Sequence, residues 1–373
     1  MSLAPHLNAT MIQTLSALEA LRDDWDALAV RYRSPLLDHA WLLSCAETLY
    51  GDGELCILTV RRAGALAGAA ALAVERFGPG RRLAQVGVSR LYEPCDWLAE
   101  SPPVLTELVD EAVQLSRPIV LQRLPDPSLV VNALSHQPTR RVVTMARPSA
   151  PSLGVPTHGR WEDYWAGLPG RLKSNLRYAR RKAEAAHGTW TIQREQPDLS
   201  EVDALLETFV TVEASGWKHR RGSSLGRRPD LRAFFRSYLR RLAARRELHV
   251  ARLLLGSRVA AMEVAAQAHN RLWQLKIGYD EALRPYSPGM QLTASGIRWA
   301  FEHALEGYEF LGSAEPWEER WRPEVRRYQT VITYPTNLRG ALAVAYDMAG
   351  ALGRRLSLGR AGRSGDGGAD TPD

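Results

Sequence analysis

Cysteine is scarce in this chain: only Cys45, Cys56 and Cys95 occur in 373 residues. Three thiols cannot all pair, and their spacing matches no metal-ligand pattern, so neither a disulfide scaffold nor a zinc module is expected. Long hydrophobic runs are also missing. The longest, Ala63–Val74, is rich in Ala and Gly and about half the length of a membrane-spanning helix. The opening residues MSLAPHLNAT lack the basic-then-apolar order of a signal peptide. No Gly-x-Ser-x-Gly elbow and no His/Cys/Asp cluster stands out, which leaves serine-hydrolase and metal chemistry without a motif. These absences predict a cytoplasmic, metal-free protein with no transmembrane segment.

What is present suits a globular chain with room for two cores. Hydrophobic residues make up 45% and charged residues 24% of the sequence, an ordinary soluble composition. The net charge of +7 owes much to Arg pairs such as Arg180-Arg181, Arg240-Arg241 and Arg354-Arg355. A basic surface favours phosphates, nucleic acid or an anionic membrane face, while Arg-rich helices are also common as plain solvated faces.

The pattern is clearest from residue 189 onward. A strand over Thr189–Gln193 precedes helices at Val202–Lys218 and Asp230–Glu247, each with apolar residues at helical spacing. Strands follow at Leu248–Leu255, Arg258–Ala268 and Arg271–Tyr279. The links Gly256-Ser257 and His269-Asn270 carry the turn chemistry of antiparallel hairpins. A helix over Met290–Glu306, closed by Gly307, leads to a strand at Tyr308–Leu311. A short helix at Glu315–Trp321 and a last strand at Tyr328–Tyr334 complete the unit.

The first half repeats a weaker version of this layout. Helical Ala17–Val30 and Ala40–Leu49 precede strands at Leu55–Arg61, Ala65–Val74 and Arg82–Gly87. A helix at Leu105–Leu115 then leads to a strand at Pro118–Gln122. The Pro-rich stretch Arg147–Pro156 reads as a linker. After Tyr334 an apolar helix, Leu338–Leu352, gives way to a Gly-rich polar end. The expected division is residues 1–150, residues 157–345, and a disordered tail over 356–373.

The richest segment is KIGYDEALRPYSPGM, Lys276–Met290. A strand here runs through an Arg-containing loop into Ser287-Pro288-Gly289 and the start of a helix. Backbone N–H groups and the positive end of the helix dipole converge at such a place, so it can grip a phosphate. Gly289 allows close backbone approach, and Pro288 loses nothing in the first turn. Met290 continues that turn. Arg284 stands in the same loop, where it can contact phosphate or remain solvated. Nothing comparable stands in the first half, where SRLYEPCDWLAESPP takes the matching place. That half therefore reads as a degenerate copy that scaffolds or shapes a cleft.

Four segments in order carry a family resemblance. RLKSNLRYARRKAEAAHG (Arg171–Gly188), EASGWKH (Glu213–His219), KIGYDEALRPYSPGM and YEFLGSAEPWEERW (Tyr308–Trp321) are together similar to GNAT acyltransferases. They resemble in particular a CelD-like group, acetyltransferases of cellulose and exopolysaccharide biosynthesis, related to the Fem peptidyltransferases. The match spans roughly Arg171–Tyr334, and the order of elements agrees with it. Two departures stand out: Glu309 replaces the usual Asp, and Glu318-Glu319 replace a common Tyr-Lys.

The resemblance implies an α+β fold of tandem GNAT-like domains, each a mixed, mostly antiparallel sheet flanked by helices. The first domain would be degenerate and the second would carry the acyl-CoA site. It implies an acyltransferase moving an acyl group, acetyl by preference, from acyl-CoA to an amine or hydroxyl. The acceptor would be a small molecule or glycan: a sugar, a polysaccharide precursor or a cell-envelope metabolite. Arg284, Ser287, Pro288, Gly289 and Met290 would hold CoA, with no metal involved. Glu213 and Asp280 are the candidate general bases and Lys276 a candidate oxyanion cation. Lys276 and Asp280 lie four apart on one strand and so share a face. Each of these charged groups can instead belong to a structural ion pair. Tyr279 and Tyr286 are candidates to protonate a departing thiolate. Trp217, Lys218 and Tyr286 are candidate acceptor contacts, although Trp217 also suits packing. Six Arg/Lys among Arg171–Lys182 admit tRNA as a partner, as in Fem-type relatives, or a polyanionic glycan. A non-catalytic scaffold of polysaccharide assembly is the further alternative.

Overall fold

The computed structural model describes residues 7–51, 53–78, 80–215 and 225–363, with side chains described through residue 350. Thirteen strands form its sheet. They are β1 (Leu7–Ile12), β2 (Leu55–Arg62), β3 (Ala65–Phe77), β4 (Gly80–Gln85), β5 (Leu98–Ala99), β6 (Ile119–Pro125) and β7 (Val142–Pro156). The second half adds β8 (Trp190–Glu195), β9 (Leu248–Leu255), β10 (Arg258–Ala268), β11 (Arg271–Tyr279), β12 (Gly307–Glu309) and β13 (Glu324–Pro335). Their order is β1-β2-β3-β4-β6-β13-β7-β12-β11-β10-β9-β8, with β5 beside β3. Only the β4–β6 and β11–β12 pairs are parallel. The fold is thus α+β, two mixed and mostly antiparallel halves flanked by helices.

Local sequence explains most of these elements. At the β2–β3 turn Ala63 and Gly64 have φ of 51° and 88°, and at the β10–β11 turn His269 and Asn270 have φ of 50° and 59°. Two successive positive φ values give the turn whose twist matches a right-twisted hairpin. The strands β9, β10 and β11 therefore fall on the expected bounds. Helices Pro102–Gln114, Pro229–Ala244 and Pro288–Glu302 each begin with proline in the first turn, where a missing N–H carries no penalty.

Three expectations are corrected. The Pro-rich stretch is not a linker: it is most of β7, a central strand. Pro151 is tolerated because the β7–β13 register slips from Arg326↔Ser152 to Tyr328↔Ser149, leaving Ala150 and Pro151 in a bulge; Pro148 pairs with β13 on one side only, since β12 reaches no further than Gly154. The helix that Gly307 was expected to close ends earlier, at Glu302, and Gly307 opens β12. A Cβ at Gly307 would sit 2.8 Å from an Arg271 guanidinium nitrogen, so its small size serves strand packing rather than capping. The polar end is helical further than expected. The last helix spans Leu338–Arg363, where Gly353, Gly359 and Gly362 stand among Arg, Leu and Ala, which are good helix formers. The remainder of the expected tail lies outside the described residues.

The two halves exchange strands. β7 leaves the first half to pair with β12, while β13 leaves the second half to pair with β6. The two exchanged strands also pair with each other, from Glu324↔Gly154 to Pro335↔Val142. A shared apolar core adds to this. Trp41 of helix His39–Leu49 meets Phe234 and Tyr238 of helix Pro229–Ala244 edge-on, with ring centroids 5.0 Å apart in both pairs.

A buried charge cluster sits where β7, β12 and β13 meet. Glu309 Oε1 accepts from Arg271 Nη1 at 2.6 Å and from Arg326 Nη2 at 3.0 Å. A Cβ on Gly154 would lie 2.2 Å from Glu309 Oε2, so glycine opposite Glu309 is what admits the carboxylate. Glu309 is therefore a structural ion-pair residue, whose extra methylene relative to Asp reaches both arginines.

Breaking a buried pair leaves its partner charges uncompensated. Glu309→Ala should lower stability by roughly 3 kcal/mol, read as a drop in denaturant midpoint. A chain starting at residue 157 lacks β7, so it should fail to give a monomer with cooperative melting; a well-folded monomer would show that the exchange is dispensable.

Candidate active site

A cleft of about 580 Å³ opens along β11 and the start of helix Pro288–Glu302. One wall is β11 from Gln274 to Tyr279, and the floor is Ser287, Pro288, Gly289 and Met290. The opposite wall is the Phe310–Ser313 segment after β12, with Glu315, Trp317 and Glu318 beyond it. Of the sequence candidates, Glu213, Lys276, Tyr279, Arg284, Ser287, Pro288, Gly289 and Met290 all line this cleft.

The floor has the geometry of an anion site. Ser287 adopts the left-handed conformation, φ 51° and ψ 47°, and makes no side-chain cap hydrogen bond. The first-turn N–H groups of Gly289 and Met290 are thus left to a ligand. A Cβ at Gly289 would touch the Tyr279 ring at 3.4 Å, so glycine keeps this approach open. Arg284 stands at the rim, 74% exposed, with Glu281 3.5 Å away.

On the β11 wall the β10–β11 register jumps from Val264↔Lys276 to Ala265↔Gln274. Leu275 is the unpaired residue of this bulge, and a bulge re-aims backbone N–H groups out of the ladder. Beside it, Lys276 Nζ lies 3.5 Å from Glu213 Oε1 and 5.4 Å from the Phe235 ring centroid. Glu213 is 2% exposed. Its Oε2 accepts the Leu225 N–H at 2.7 Å, while Oε1 has no hydrogen-bond partner among the described residues.

The other candidates are placed elsewhere. Asp280 does not share the face of Lys276 in the cleft. β11 ends at Tyr279, and the Asp280 carboxylate turns back to cap the next turn, accepting the Ala282 N–H at 3.0 Å and pairing with Arg258 of β10. Both oxygens are spent on holding the loop. Tyr286 shares its hydroxyl with the His187 ring at 3.2 Å and does not line the cleft. Trp217 and Lys218 lie outside the described residues.

Sequence reasoning missed Glu93. This residue belongs to the first half, in the segment that replaces a phosphate loop, and it reaches the cleft of the second half. Its Oε2 accepts the Gly312 N–H at 2.9 Å. Burial pushes its carboxyl up to about 7, against the opposing pull of the Gly312 N–H and of Arg123 and Lys276. Glu318 is likewise pushed up to about 7 by burial, with Glu315 adding like charge and the Glu315 N–H opposing. The equivalent helix start in the first half is closed. There Gly87 N–H donates to Tyr50 Oη at 2.8 Å, and a Cβ on Gly87 would meet Cys45 Sγ at 2.7 Å.

A carboxyl raised in the folded state binds its proton more tightly there than when unfolded. Stability from such groups is full below the ordinary value and is lost as pH rises through the folded value. Melting temperature should therefore fall between pH 4.5 and about 7, the ordinary and folded values for Glu318. Glu318→Gln should flatten part of that slope; an unchanged slope would mean the Glu318 carboxyl is not held protonated.

Among the described residues no group of three or more His, Cys, Asp or Glu could hold a metal ion, and no helix is long and apolar enough to cross a membrane. No curated protein sequence matches the chain. Solved structures share the fold. FemX superposes with a TM-score of 0.57 at 12% identity, covering 90% of this chain and 98% of FemX. The C-terminal domain of an Agrobacterium fabrum protein named as a lysylphosphatidylglycerol synthetase gives 0.54 at 11% identity, covering 89% of this chain and 96% of that one. A Bacteroides thetaiotaomicron protein of unknown function gives 0.51 at 9% identity, covering 87% and 99%. Residues 170–319 match the family model described as the acetyltransferase (GNAT) domain, and these residues supply the anion floor, the bulged wall and Glu213. Over residues 170–319 the chain is thus similar to a GNAT acetyltransferase domain.

Proposed function

We propose that the chain is an acyl-CoA-dependent acyltransferase that moves an acyl group, acetyl by preference, to an amine or hydroxyl. The single observation that carries this reading is the uncapped helix start at Ser287-Pro288-Gly289, set at the foot of a bulged strand within one cleft. The helix start supplies N–H donors for a pyrophosphate. The bulge at Leu275 and the Lys276 ammonium lie where charge would develop on a thioester oxygen. Glu213 holds Lys276 in place through their 3.5 Å ion pair. The family match over residues 170–319 supports acyl transfer as the chemistry.

The acceptor we propose is a sugar, a polysaccharide precursor or another cell-envelope metabolite, on the resemblance to CelD-like proteins. The reaction would take place in the cytoplasm. A second reading has one observation in its favour: the fold is shared with FemX. Its basic helix Gly170–His187 exposes Arg171, Arg177, Arg180, Arg181 and Lys182, so an aminoacyl-tRNA donor is the alternative. Activity that survives RNase and depends on added acetyl-CoA favours the first reading over this one.

Calorimetry with acetyl-CoA tests the proposal. One site per chain is expected, because the first-half helix start is closed by Tyr50. Gly289→Glu puts a carboxylate into the anion site and should weaken acetyl-CoA binding at least about 100-fold, on the order of 3 kcal/mol. No binding by the wild type, as for a non-catalytic scaffold, or unchanged affinity in a folded Gly289→Glu variant, sinks the assignment.

A further inference from the structure

The cleft is completed by a residue from the half that has no anion site of its own. Glu93 lies in the loop between the short helix Val88–Leu91 and β5, and it faces Lys276, Glu213 and Gly312 across the second-half cleft. Its placement is built, not incidental. Tyr92, immediately before it, has φ 57°, and Leu311, immediately before its hydrogen-bond partner Gly312, also has φ 57°. Left-handed conformations are costly for such bulky residues and gather at functional sites.

Arg123 fixes the loop from below. It is 0% exposed, with a φ of 56°. Its Nη1 donates to the Tyr92 carbonyl at 2.7 Å. Its guanidinium lies 5.1 Å from the Tyr92 ring centroid and 4.8 Å from that of Tyr328 on β13. Three strained residues from three separate segments, one of them a wholly buried arginine, thus converge on one carboxyl. Nothing in the packing of either half alone requires a carboxyl there.

We propose that Glu93, supplied by the first half, is the catalytic base of the acyl transfer. This rests on the acyl-CoA reading above. Glu93 Oε2 is held by the Gly312 N–H, which leaves Oε1 for the acceptor. As the acceptor's N–H or O–H proton passes to Oε1, its lone pair forms the bond to the thioester carbonyl carbon. The carbon–sulfur bond then breaks, and the departing thiolate takes up one proton, regenerating the Glu93 carboxylate. Glu213 is less suited to this step, since Leu225 N–H and Lys276 already occupy its carboxylate. Asp280 is outside the cleft.

The charges acting on Glu93 are Arg123 from β6 and Lys276 from β11, and the other titratable groups lining the cleft with it are Glu213, Tyr279, Glu281, Arg284, Glu315, Glu318 and Arg320. Burial outweighs the two cations and places the Glu93 carboxyl at about 7, where a base is both available and strong. Activity should therefore rise with pH through about 7 as this carboxyl ionises.

The experiment uses the full chain and acetyl-CoA, with thiol release as the readout. The acceptors are a panel of primary amines and sugar alcohols (spermidine, glucosamine, lysine methyl ester, glucose), or water where none exceeds basal hydrolysis. Wild type, Glu93→Gln and Glu93→Asp are compared across pH with the fastest acceptor. Glu93→Gln should lose about 10²–10⁴-fold in turnover and the rise near neutral pH, while its acetyl-CoA affinity and melting temperature stay near wild type. Glu93→Asp should retain the pH rise at an intermediate rate. Turnover within about twofold of wild type in Glu93→Gln, with the same pH rise, overturns the proposal while acetyl-CoA binding stands. A wild type that binds no acetyl-CoA overturns the acyl-CoA reading and this proposal together.

Discussion

The pairing of β7 with β13 is the constraint on which the rest of the molecule depends. Each of these strands belongs by sequence to one half and completes the sheet of the other. Backbone N–H and C=O groups at the centre of a sheet have no water to fall back on, so neither half can withdraw its strand without exposing an unpaired edge. The Glu309 carboxylate, gripped by Arg271 and Arg326 over Gly154, sits at this junction. A charge cluster of this kind adds little net stability compared with an apolar joint, but it tolerates no shift of register. Its consequence for function is positional. The segment after β12 carries Leu311 and Gly312, and its place in the cleft is set by the same junction.

The charges along the cleft are mixed. At the helix start the N–H groups of Gly289 and Met290 stand with Arg284 and its partner Glu281. The rest of the lining carries Glu93, Glu213, Glu315 and Glu318 together with Lys276 and Arg320. Desolvation raises Glu93 and Glu318 because no cation is close enough to each to offset burial. Under the acyl-CoA reading proposed above, the donor would lie with its phosphates toward the helix start and its thioester toward Lys276 and Glu93. The reverse orientation would set phosphate charge against carboxylates in a partly dry site, at a cost that grows as the effective dielectric falls.

Much of the second half was legible because its signals are local. The two-residue turns set the bounds of β9, β10 and β11, and the Tyr-Asp to Ser-Pro-Gly segment shows its anion-binding form in a single stretch of residues 279–289. What stayed hidden depends on partners far away in sequence. The prolines of β7 argue for a linker until its pairing with β13, nearly 180 residues later, is seen to slip at Ala150-Pro151. Asp280 reads as a strand residue aimed at a ligand, whereas one φ/ψ change at the strand end turns it onto Ala282 and Arg258. Glu93 carries no motif. Its only trace was negative, the lack of a phosphate loop where the layout called for one.

That negative trace follows a physical logic. A helix start can serve an anion only while its first N–H groups are unclaimed and backbone can approach closely. In the first half Tyr50 Oη takes the Gly87 N–H, and the Cys45 side chain fills the space above Gly87. The helix that follows spans only Val88–Leu91, and the chain leaves it through Tyr92 in a left-handed turn. The same turn throws Glu93 across the junction toward Gly312. Closing one anion site and delivering a carboxyl to the other are thus linked through a single short segment. Asymmetry between the halves is what lets one cleft hold both an open helix start from the second half and a carboxyl from the first.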